Sequence, residues 1–461
     1  MKKTVLASSL LLATMGAQAG TLFTNVDIFN GVDNKLYENH SVLVEGNKIT
    51  KISEGNIDAE GHTVIDGEGK TLMPGLVDTH VHLRFNEAKK MDDFGIAQPT
   101  DLMAYRAVDS ANEFLMSGFT TVRDIGGNDN SMFIAEREGT IKAPRIFHVG
   151  RLISPTAGHA DWRPVSGLGD EALEKRMYDR NITAIADTPD EMRREVRVNM
   201  GMGASGIKIM TSGGISSDID PVFYDGHMDE EVKAAVATAK SYNSYVATHV
   251  INDEDVKRSA ELGVFSLEHC NGMSSDEAAK AVKDANAFCI PAMAAFDQTI
   301  LDHPYYGNPE NAAYHKVAPL IKNADNFGEL FKKHKFRIAY GTDLVMQRPS
   351  DPIARARRDV QIHQMGEMFG NYETLVSMTS NAYDLLSMDG KNKKNPYPMD
   401  KFGSIQVGYA ADIILVDGNP LEDLSVIGAV PAVSEENARI TATVSTMPYI
   451  MKDGKEIHNT L

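Results

Sequence analysis

Residues 75–82, with the sequence GLVDTHVH, decide the prediction of the fold. An apolar run ends here in two histidines separated by one residue, which is typical of a buried β-strand. Because side chains alternate between the two faces of a strand, His80 and His82 point the same way. Two imidazoles on one face at the carboxyl end of a strand form half of a metal site. An ordinary pair of partly buried histidines is the alternative, and the rest of the chain decides between them.

Apolar segments of strand length recur through the middle of the chain, with helical patterns between most of them. We predict strands at residues 76–82, 120–125, 145–153, 206–210, 245–249, 265–269, 288–292 and 337–340. Strands that alternate with helices are typical of an α/β protein with a parallel sheet. The pattern predicts a (β/α)8 TIM barrel over residues 75–400, with its functional site at the carboxyl ends of the strands.

The two ends of the chain differ from this middle part. Residues 20–74 and 401–461 contain short strand-like runs that are separated by Gly, Asn and Asp residues. These runs lie at residues 21–29, 41–44, 49–52, 403–405, 411–416 and 448–451. They predict one small β-sandwich domain that is built from both termini of the chain.

Length and charge limit the classes of protein and partner. The chain has 461 residues, 42% of them hydrophobic, which is enough for a large barrel with an appended domain. The formal net charge of −18 argues against nucleic acid and against anionic membrane surfaces as partners. After the N-terminal segment there is no run of 18 apolar residues, so we expect no membrane span. The sequence does not decide between a monomer and a homo-oligomer.

The N-terminal segment has the pattern of a signal peptide. Lys2 and Lys3 precede a short apolar run over residues 5–16, and Ala17-Gln18-Ala19 supplies small residues for cleavage. We therefore predict that residues 1–19 are removed after Ala19 and that the mature protein is periplasmic or secreted.

The chain has two cysteines, Cys270 and Cys289, which is too few for a disulfide framework. They lie near two strands that we expect to be neighbours, so one disulfide bond between them remains an alternative. Cysteine is among the most often buried residue types, and two buried free thiols are the favoured interpretation.

Residues able to bind metal lie at the carboxyl ends of five predicted strands. His80 and His82 end the first strand, Lys208 lies in the fourth, and the remaining three, His249, His269 and Asp343, end or follow the fifth, sixth and eighth. Each of them alone has an ordinary structural interpretation. Together on one rim of a barrel they predict a metal centre.

This ordered set resembles the binuclear branch of the amidohydrolase superfamily of metal-dependent hydrolases. Residues 72–82, 379–382 and 403–412 resemble further motifs of that superfamily, so the likeness covers nearly the whole mature chain. Residues 206–210 and the pair Gly158-His159 are similar to the imidazolonepropionase-like group. That group includes Xaa-Pro and Xaa-Arg metallodipeptidases, and amide-cleaving relatives that act on ochratoxin-type N-acyl amino acids belong to the same neighbourhood.

The resemblance implies two divalent metal ions. His80, His82 and Asp343 would hold one ion and His249 and His269 the other. Lys208 would be carboxylated by CO2 to N6-carboxylysine, and the resulting carbamate would bridge the two ions. The nitrogen and oxygen ligands fit Zn²⁺, and Mn²⁺, Co²⁺ and Fe²⁺ remain alternatives.

The resemblance also implies roles in catalysis. A hydroxide that bridges the metals would attack the substrate carbonyl, and Asp343 would move a proton from the attacking water to the leaving amine. His159 would stabilise the carbonyl oxygen as it becomes an oxyanion, and its plainer role is a hydrogen bond within its loop. Arg163, Arg348 and Tyr224 are candidates for binding the small-molecule substrate, and each has an ordinary surface role as the alternative.

We therefore predict an exported metal-dependent hydrolase that cleaves the amide bond of dipeptides or N-acyl amino acids. Hydrolysis of a cyclic amide or imide, and hydrolysis of a lactone, are alternatives within the same chemistry. A binding protein that has lost catalysis is a further alternative. It is disfavoured because every expected ligand, Asp343 included, is present in the sequence.

Overall fold

The computed structural model describes residues 19–85, 98–215, 217, 219–302, 306–345, 351–388, 396–398, 400–432, 434, 436, 439 and 447–461. The predicted signal peptide, except for Ala19, and the predicted substrate ligand Arg348 lie outside these residues. Among the helices of the described residues we find none with the length and apolar character needed to span a bilayer.

The strands of the described residues fall into a terminal sheet and a central barrel. In chain order they are β1 (Thr21–Ile28), β2 (Tyr37–Glu45), β3 (Lys48–Glu54), β4 (Thr63–Asp66), β5 (Thr71–Pro74), β6 (Leu76–Val81), β7 (Phe119–Asp124), β8 (Arg145–His148), β9 (Leu152–Ser154), β10 (Thr183–Ile185), β11 (Ile207–Met210), β12 (Val246–Asn252), β13 (Ser266–Gly272), β14 (Phe288–Ile290), β15 (Arg337–Ile338), β16 (Ile413–Val416), β17 (Tyr449–Lys452) and β18 (Lys455–Asn459).

The α-helices all lie between β6 and β16 in the described part of the chain. They are α1 (Thr100–Met116), α2 (Ser131–Arg137), α3 (Glu171–Asp179), α4 (Pro189–Gly201), α5 (Asp229–Ser241), α6 (Asp253–Glu261), α7 (Asp276–Asp284), α8 (Ala312–His334), α9 (Pro352–Phe369), α10 (Asn371–Ser377) and α11 (Ser380–Ser387). Short 3₁₀ helices lie at Val165–Gly167, Met293–Phe296, Gln298–Asp302 and Leu424–Ile427.

The strands from both termini form one sheet, which confirms the predicted β-domain built from both ends of the chain. Its order is β18-β17-β16-β5-β1-β2-β3, with β4 paired to β1. Strands from both termini share a buried core, in which Phe23 of β1 and Tyr449 of β17 meet with ring centroids 5.3 Å apart. The β5–β16 pairing joins the N-terminal strands to the C-terminal ones. The predicted strand at 403–405 is wrong: Ser404 and Ile405 instead bond to the carbonyl of Asn30 from a loop.

The central strands form the predicted barrel. Parallel pairs run from β6 to β8 and from β9 through β11 to β15. The carbonyl of His148 accepts a hydrogen bond from the Ser205 amide at 2.8 Å, which continues the barrel from β8 toward β11. The Thr79 amide donates to the Tyr340 carbonyl at 2.8 Å and closes β15 onto β6. Buried aliphatic and aromatic side chains fill the space between the strands and the helices.

Two details of the barrel differ from the prediction. The predicted strand at 145–153 is two strands, β8 and β9, because the chain bends at Gly150, whose φ is +80°. The unpredicted strand β10 pairs in parallel with β9 and lengthens the sheet on that side. The bend leaves β9 beside β11, with Leu152 opposite Lys208.

The two cysteines are joined by a disulfide, so the interpretation as free thiols is wrong. Cys270 of β13 and Cys289 of β14 lie on neighbouring parallel strands, with Cα atoms 6.2 Å apart. His269 and Cys270 have φ values of +81° and +49°, which interrupt the alternation of side chains in β13. The interruption explains how the Cys270 side chain comes to face β14.

Candidate metal centre

Two histidines lie at the end of the first barrel strand, and a carboxylate follows the last barrel strand. His80 lies in β6 and is 2% exposed, and His82 follows the strand directly. Asp343 comes after β15 with a φ of +50°, and its amide bonds to the His80 carbonyl at 2.9 Å. Its Oδ1 lies 3.3 Å from Nε2 of His80 and 3.6 Å from Nε2 of His82. These three side chains offer donor atoms that all lie within 4.8 Å of one another.

A second group of side chains adjoins this cluster. His249 of β12 and His269 of β13 have ring centroids 4.6 Å apart, and the His269 ring lies 5.0 Å from that of His80. The Nδ1 atom of His269 is 3.9 Å from Oδ2 of Asp343. Lys208 of β11 is 3% exposed, and its charge acts on the pKa of the neighbouring histidines. The structure therefore brings together all six predicted ligands at one rim of the barrel.

Three of the histidines are oriented by a hydrogen bond to the ring nitrogen that faces away from the cluster. Nδ1 of His80 lies 2.8 Å from Oε2 of Glu268, and Nδ1 of His82 lies 3.4 Å from the Gly126 carbonyl. Nε2 of His249 lies 3.2 Å from the carbonyl of Gly213. Such bonds fix the tautomer, so that the other ring nitrogen presents its lone pair to a metal ion.

Electrostatics favour the cation-binding forms of most of these groups. His80 is the exception, because neighbouring carboxylates, Asp343 foremost, outweigh burial and raise the pKa of His80. Burial lowers the pKa of His82 to about 3 and holds the pKa values of His249 and His269 well below the ordinary value. Burial opposes ionisation of Asp343, yet its histidine neighbours, His80 foremost, hold the pKa of that carboxyl below its usual range. Burial also lowers the pKa of Lys208 to about 8. Neutral imidazoles and an ionised carboxylate are the protonation states that metal binding requires.

A buried ion pair beneath the cluster was not found from the sequence. Glu268 is fully buried, and its Oε1 accepts a hydrogen bond from Nη2 of Arg123 at 2.8 Å. Its other oxygen holds His80, so one carboxylate joins a metal-binding candidate to a guanidinium. Arg123 lies inside the apolar strand segment 120–125, and Glu268 lies inside the segment 265–269. A charged residue inside such a segment is the sequence signal that could have indicated the pair.

The donor set fits a divalent cation. Imidazole nitrogens and a carboxylate are ligands that Zn²⁺ prefers, and His80, His82 and Asp343 lie close enough to share one ion. His249 and His269 offer nitrogens on the adjoining side, with Lys208 on the strand next to His249. The arrangement can therefore polarise a substrate carbonyl and activate a water molecule once metal is bound.

The residues predicted to contact substrate have different surroundings. His159 lies after β9, and its ring stacks on that of His249 at 3.9 Å. The Tyr224 hydroxyl is buried and has no hydrogen-bond partner within the described residues. Arg163 forms ion pairs with Asp161 and Glu174, both at 2.8 Å, and its side chain is 3% exposed. The guanidinium of Arg163 is therefore occupied by protein carboxylates, which argues against its predicted role in binding substrate.

Comparison with known proteins gives the family. The model of the amidohydrolase family matches residues 71–456. The chain belongs to the amidohydrolase family. It is 28% identical over 373 residues to ochratoxinase from Aspergillus niger, which covers 79% of this chain and 73% of that protein.

Solved structures agree with this membership. A solved amidohydrolase is 30% identical, with a TM-score of 0.81, and the match covers 96% of this chain and 100% of the other. A prolidase solved with N-methylphosphonate-L-proline is 28% identical, with the same TM-score and the same coverage. Our predictions of the superfamily, of the barrel with its terminal β-domain, and of a hydrolase acting on C–N bonds are confirmed. The family to which this amidohydrolase belongs is metal-dependent.

Proposed function

We propose that this amidohydrolase uses two divalent metal ions to hydrolyse the amide bond of dipeptides or N-acyl amino acids. The observation that carries the proposal is the convergence of five predicted ligands on one rim of the barrel, with Lys208 on the strand next to that of His249. The relatives support the substrate class, because a prolidase, a Xaa-Pro dipeptidase and an ochratoxinase are among the similar proteins. We infer a small substrate with a free carboxylate next to the amide that is cleaved.

In this proposal the residues divide between two ions. His80, His82 and Asp343 hold one ion, and His249 and His269 hold the other. Lys208, carboxylated by CO2, supplies the ligand shared by both, and burial that favours its neutral amine supports this assignment. The ions, when bound, lower the pKa of water and polarise the carbonyl of the substrate. Zn²⁺ is the ion that the nitrogen and oxygen donors fit best.

Asp343 moves the proton. Its carboxylate is 31% exposed and so faces the open rim, while its ionised form is favoured by the surrounding histidines. It accepts a proton from the attacking water and returns this proton to the nitrogen of the leaving amine. A carboxylate with a low pKa is a weak base, and proximity to the reacting atoms compensates for that weakness.

His159 and Tyr224 contact the substrate in our proposal. The Nδ1 atom of His159 donates its hydrogen to the Asp220 carboxylate, with the Ser217 hydroxyl alongside, so Nε2 faces the substrate. Nε2 donates to the carbonyl oxygen in the imidazolium form of the ring, whose charge the Asp220 carboxylate balances. The Tyr224 hydroxyl, buried without a partner among the described residues, donates a hydrogen bond to the substrate. An unpaired buried hydroxyl is costly in the free protein, and a substrate oxygen would relieve that cost. Arg348 stays a prediction from the sequence.

We also propose export to the periplasm or the medium. The support is the sequence of the first 19 residues, with Lys2 and Lys3 before the apolar run and Ala17-Gln18-Ala19 after it. N-terminal sequencing of the exported protein should start at Gly20, and a start at Met1 would contradict the cleavage.

One screen tests the proposed reaction. Zinc-reconstituted protein is incubated with dipeptides that include Xaa-Pro and Xaa-Arg, with N-acyl amino acids, and with cyclic imides and lactones. We expect release of free amino acids from a linear amide, and loss of that activity after treatment with a chelator. Turnover of cyclic imides or lactones without turnover of any linear amide would contradict the substrate class.

A further inference from the structure

The loop after β11 contacts both histidines that stack at the edge of the candidate centre. We refer to residues 213–215, 217, 219 and 220 as the glycine loop. The Gly213 carbonyl holds Nε2 of His249 at 3.2 Å. The His159 ring packs directly on Gly214, where an added Cβ would lie 1.9 Å from Cε1 of the ring. The conformation of this loop therefore decides where both rings lie.

A buried lysine from a distant helix holds the glycine loop. Lys316 of α8 is 9% exposed, and its Nζ donates hydrogen bonds to three backbone carbonyls of the loop. The distances are 2.9 Å to Gly214, 2.6 Å to Ser217 and 2.7 Å to Asp220. An ammonium group has three donors, and charge-assisted bonds are stronger than neutral ones. Three carbonyls converge on one cation, which fixes the shape of the loop. The cation belongs to a residue about 100 positions further along the chain.

The loop carries a carboxylate that in turn holds His159. The Asp220 side chain is fully buried, and its Oδ2 accepts a hydrogen bond from the Gly214 amide at 2.7 Å. The same oxygen lies 3.2 Å from Nδ1 of His159, and the Ser217 hydroxyl lies 2.9 Å from that nitrogen. With Nδ1 occupied, Nε2 is the ring nitrogen that remains for a substrate.

We propose that Lys316 and Asp220 are positioning residues for His159. Lys316 fixes the glycine loop. Asp220, carried by that loop, accepts a hydrogen bond from Nδ1–H of His159 and balances the charge of the imidazolium form, so that Nε2–H faces the substrate carbonyl. The inference rests on the proposed function, in which His159 stabilises the oxyanion. Neither residue touches the substrate in this proposal. Asp220 acts on the rate through His159, and Lys316 acts through the loop, which holds His249 as well as His159. The sequence spacing of these residues gave no signal for the arrangement.

A double-mutant cycle between Asp220 and His159 tests this inference. We expect Asp220→Ala to lower kcat by about tenfold or more, a part of the 10²–10³-fold that one oxyanion donor supplies. In a His159→Ala background the same substitution should cost less than about twofold, because its route of action is already removed. Asp220→Asn keeps an oxygen for the Gly214 amide and for Nδ1–H of His159 but loses the negative charge, so it should recover only part of the kcat. Metal content should stay at the wild-type value in all variants.

The outcomes separate this inference from the proposed function. Equal costs of Asp220→Ala in both backgrounds, or loss of metal in that variant, would overturn the positioning role and leave the hydrolase intact. Full turnover by His159→Ala would overturn both the oxyanion role and this inference. If Asp220→Ala does not fold, the cycle with Asp220→Asn decides, since a cost that persists without His159 contradicts the inference.

Lys316 is tested by hydrogen exchange as well as by rate. In Lys316→Met we expect faster amide exchange of the peptide that covers the glycine loop and a lower kcat per bound metal ion. Metal content is measured on the same sample, because the loop also holds His249. Lys332→Met is the matched control, because Lys332 lies on the same helix with a side chain 60% exposed. Unchanged exchange together with unchanged kcat in Lys316→Met would remove Lys316 from the proposal. If Lys316→Met does not fold, Lys316→Arg is used in its place. Arginine keeps the charge but has a different shape, so we expect the same pattern of amide exchange.

Discussion

Lys208→Ala is expected to reduce turnover of the best amide substrate by about 10³-fold or more. The reason is that the proposed shared ligand of both ions disappears, and metal ions contribute several kcal/mol of transition-state stabilisation. Metal content should fall below the wild-type value. Short carboxylic acids added at high concentration should restore part of the activity, because they can occupy the vacated position.

Two further observations make the Lys208 prediction specific. Wild-type protein prepared with 13C-labelled bicarbonate should show a carbamate signal by NMR that is absent from Lys208→Ala. Lys175→Ala serves as a control, because the Lys175 side chain is 73% exposed and lies on α3 away from the six ligands. Full turnover and full metal content in Lys208→Ala without added acid would show that the carbamate assignment is wrong.

Asp343→Asn should lose about 10²–10⁴-fold in kcat, the usual contribution of general acid–base assistance. The amide keeps the shape of the carboxylate between His80 and His82 but cannot accept and return a proton. Metal content measured on the same sample should stay near two ions per chain, which distinguishes lost proton transfer from lost metal.

The exposed carboxylate of Asp325 on α8 provides the control for this variant. Asp325→Asn should match wild type in turnover and in metal content. An Asp343→Asn protein with two ions and near wild-type turnover would refute Asp343 as the proton carrier, while leaving the fold and the metal ligands in place.

The barrel could be predicted from the sequence because buried parallel strands are apolar runs with polar residues at their carboxyl ends. Segments such as 76–82 and 245–249 have that pattern, and their spacing leaves room for helices. The strand β10 was missed because three residues give no periodicity to detect. The strand β18 was missed because its residues are mostly polar and exposed, as suits the edge of a sheet.

The ligands of the candidate centre could be predicted for the same reason: each ends or lies in a strand that points to one rim. The residues that hold the ligands could not be predicted in this way. Lys316 and Asp220 are 96 residues apart and meet through a backbone carbonyl, a contact that leaves no trace in side-chain patterns. The ion pairs of Arg163 with Asp161 and Glu174 likewise depend on a loop conformation that local sequence does not define.

Zinc titration of the metal-free protein tests the central claim most directly. Protein stripped with a chelator receives zinc in small steps, and bound zinc per chain and dipeptide turnover are measured at each step. We predict no turnover without metal and full turnover only when about two ions are bound per chain. Full turnover by metal-free protein, or turnover that reaches its maximum at one bound ion, would contradict a binuclear metal-dependent hydrolase.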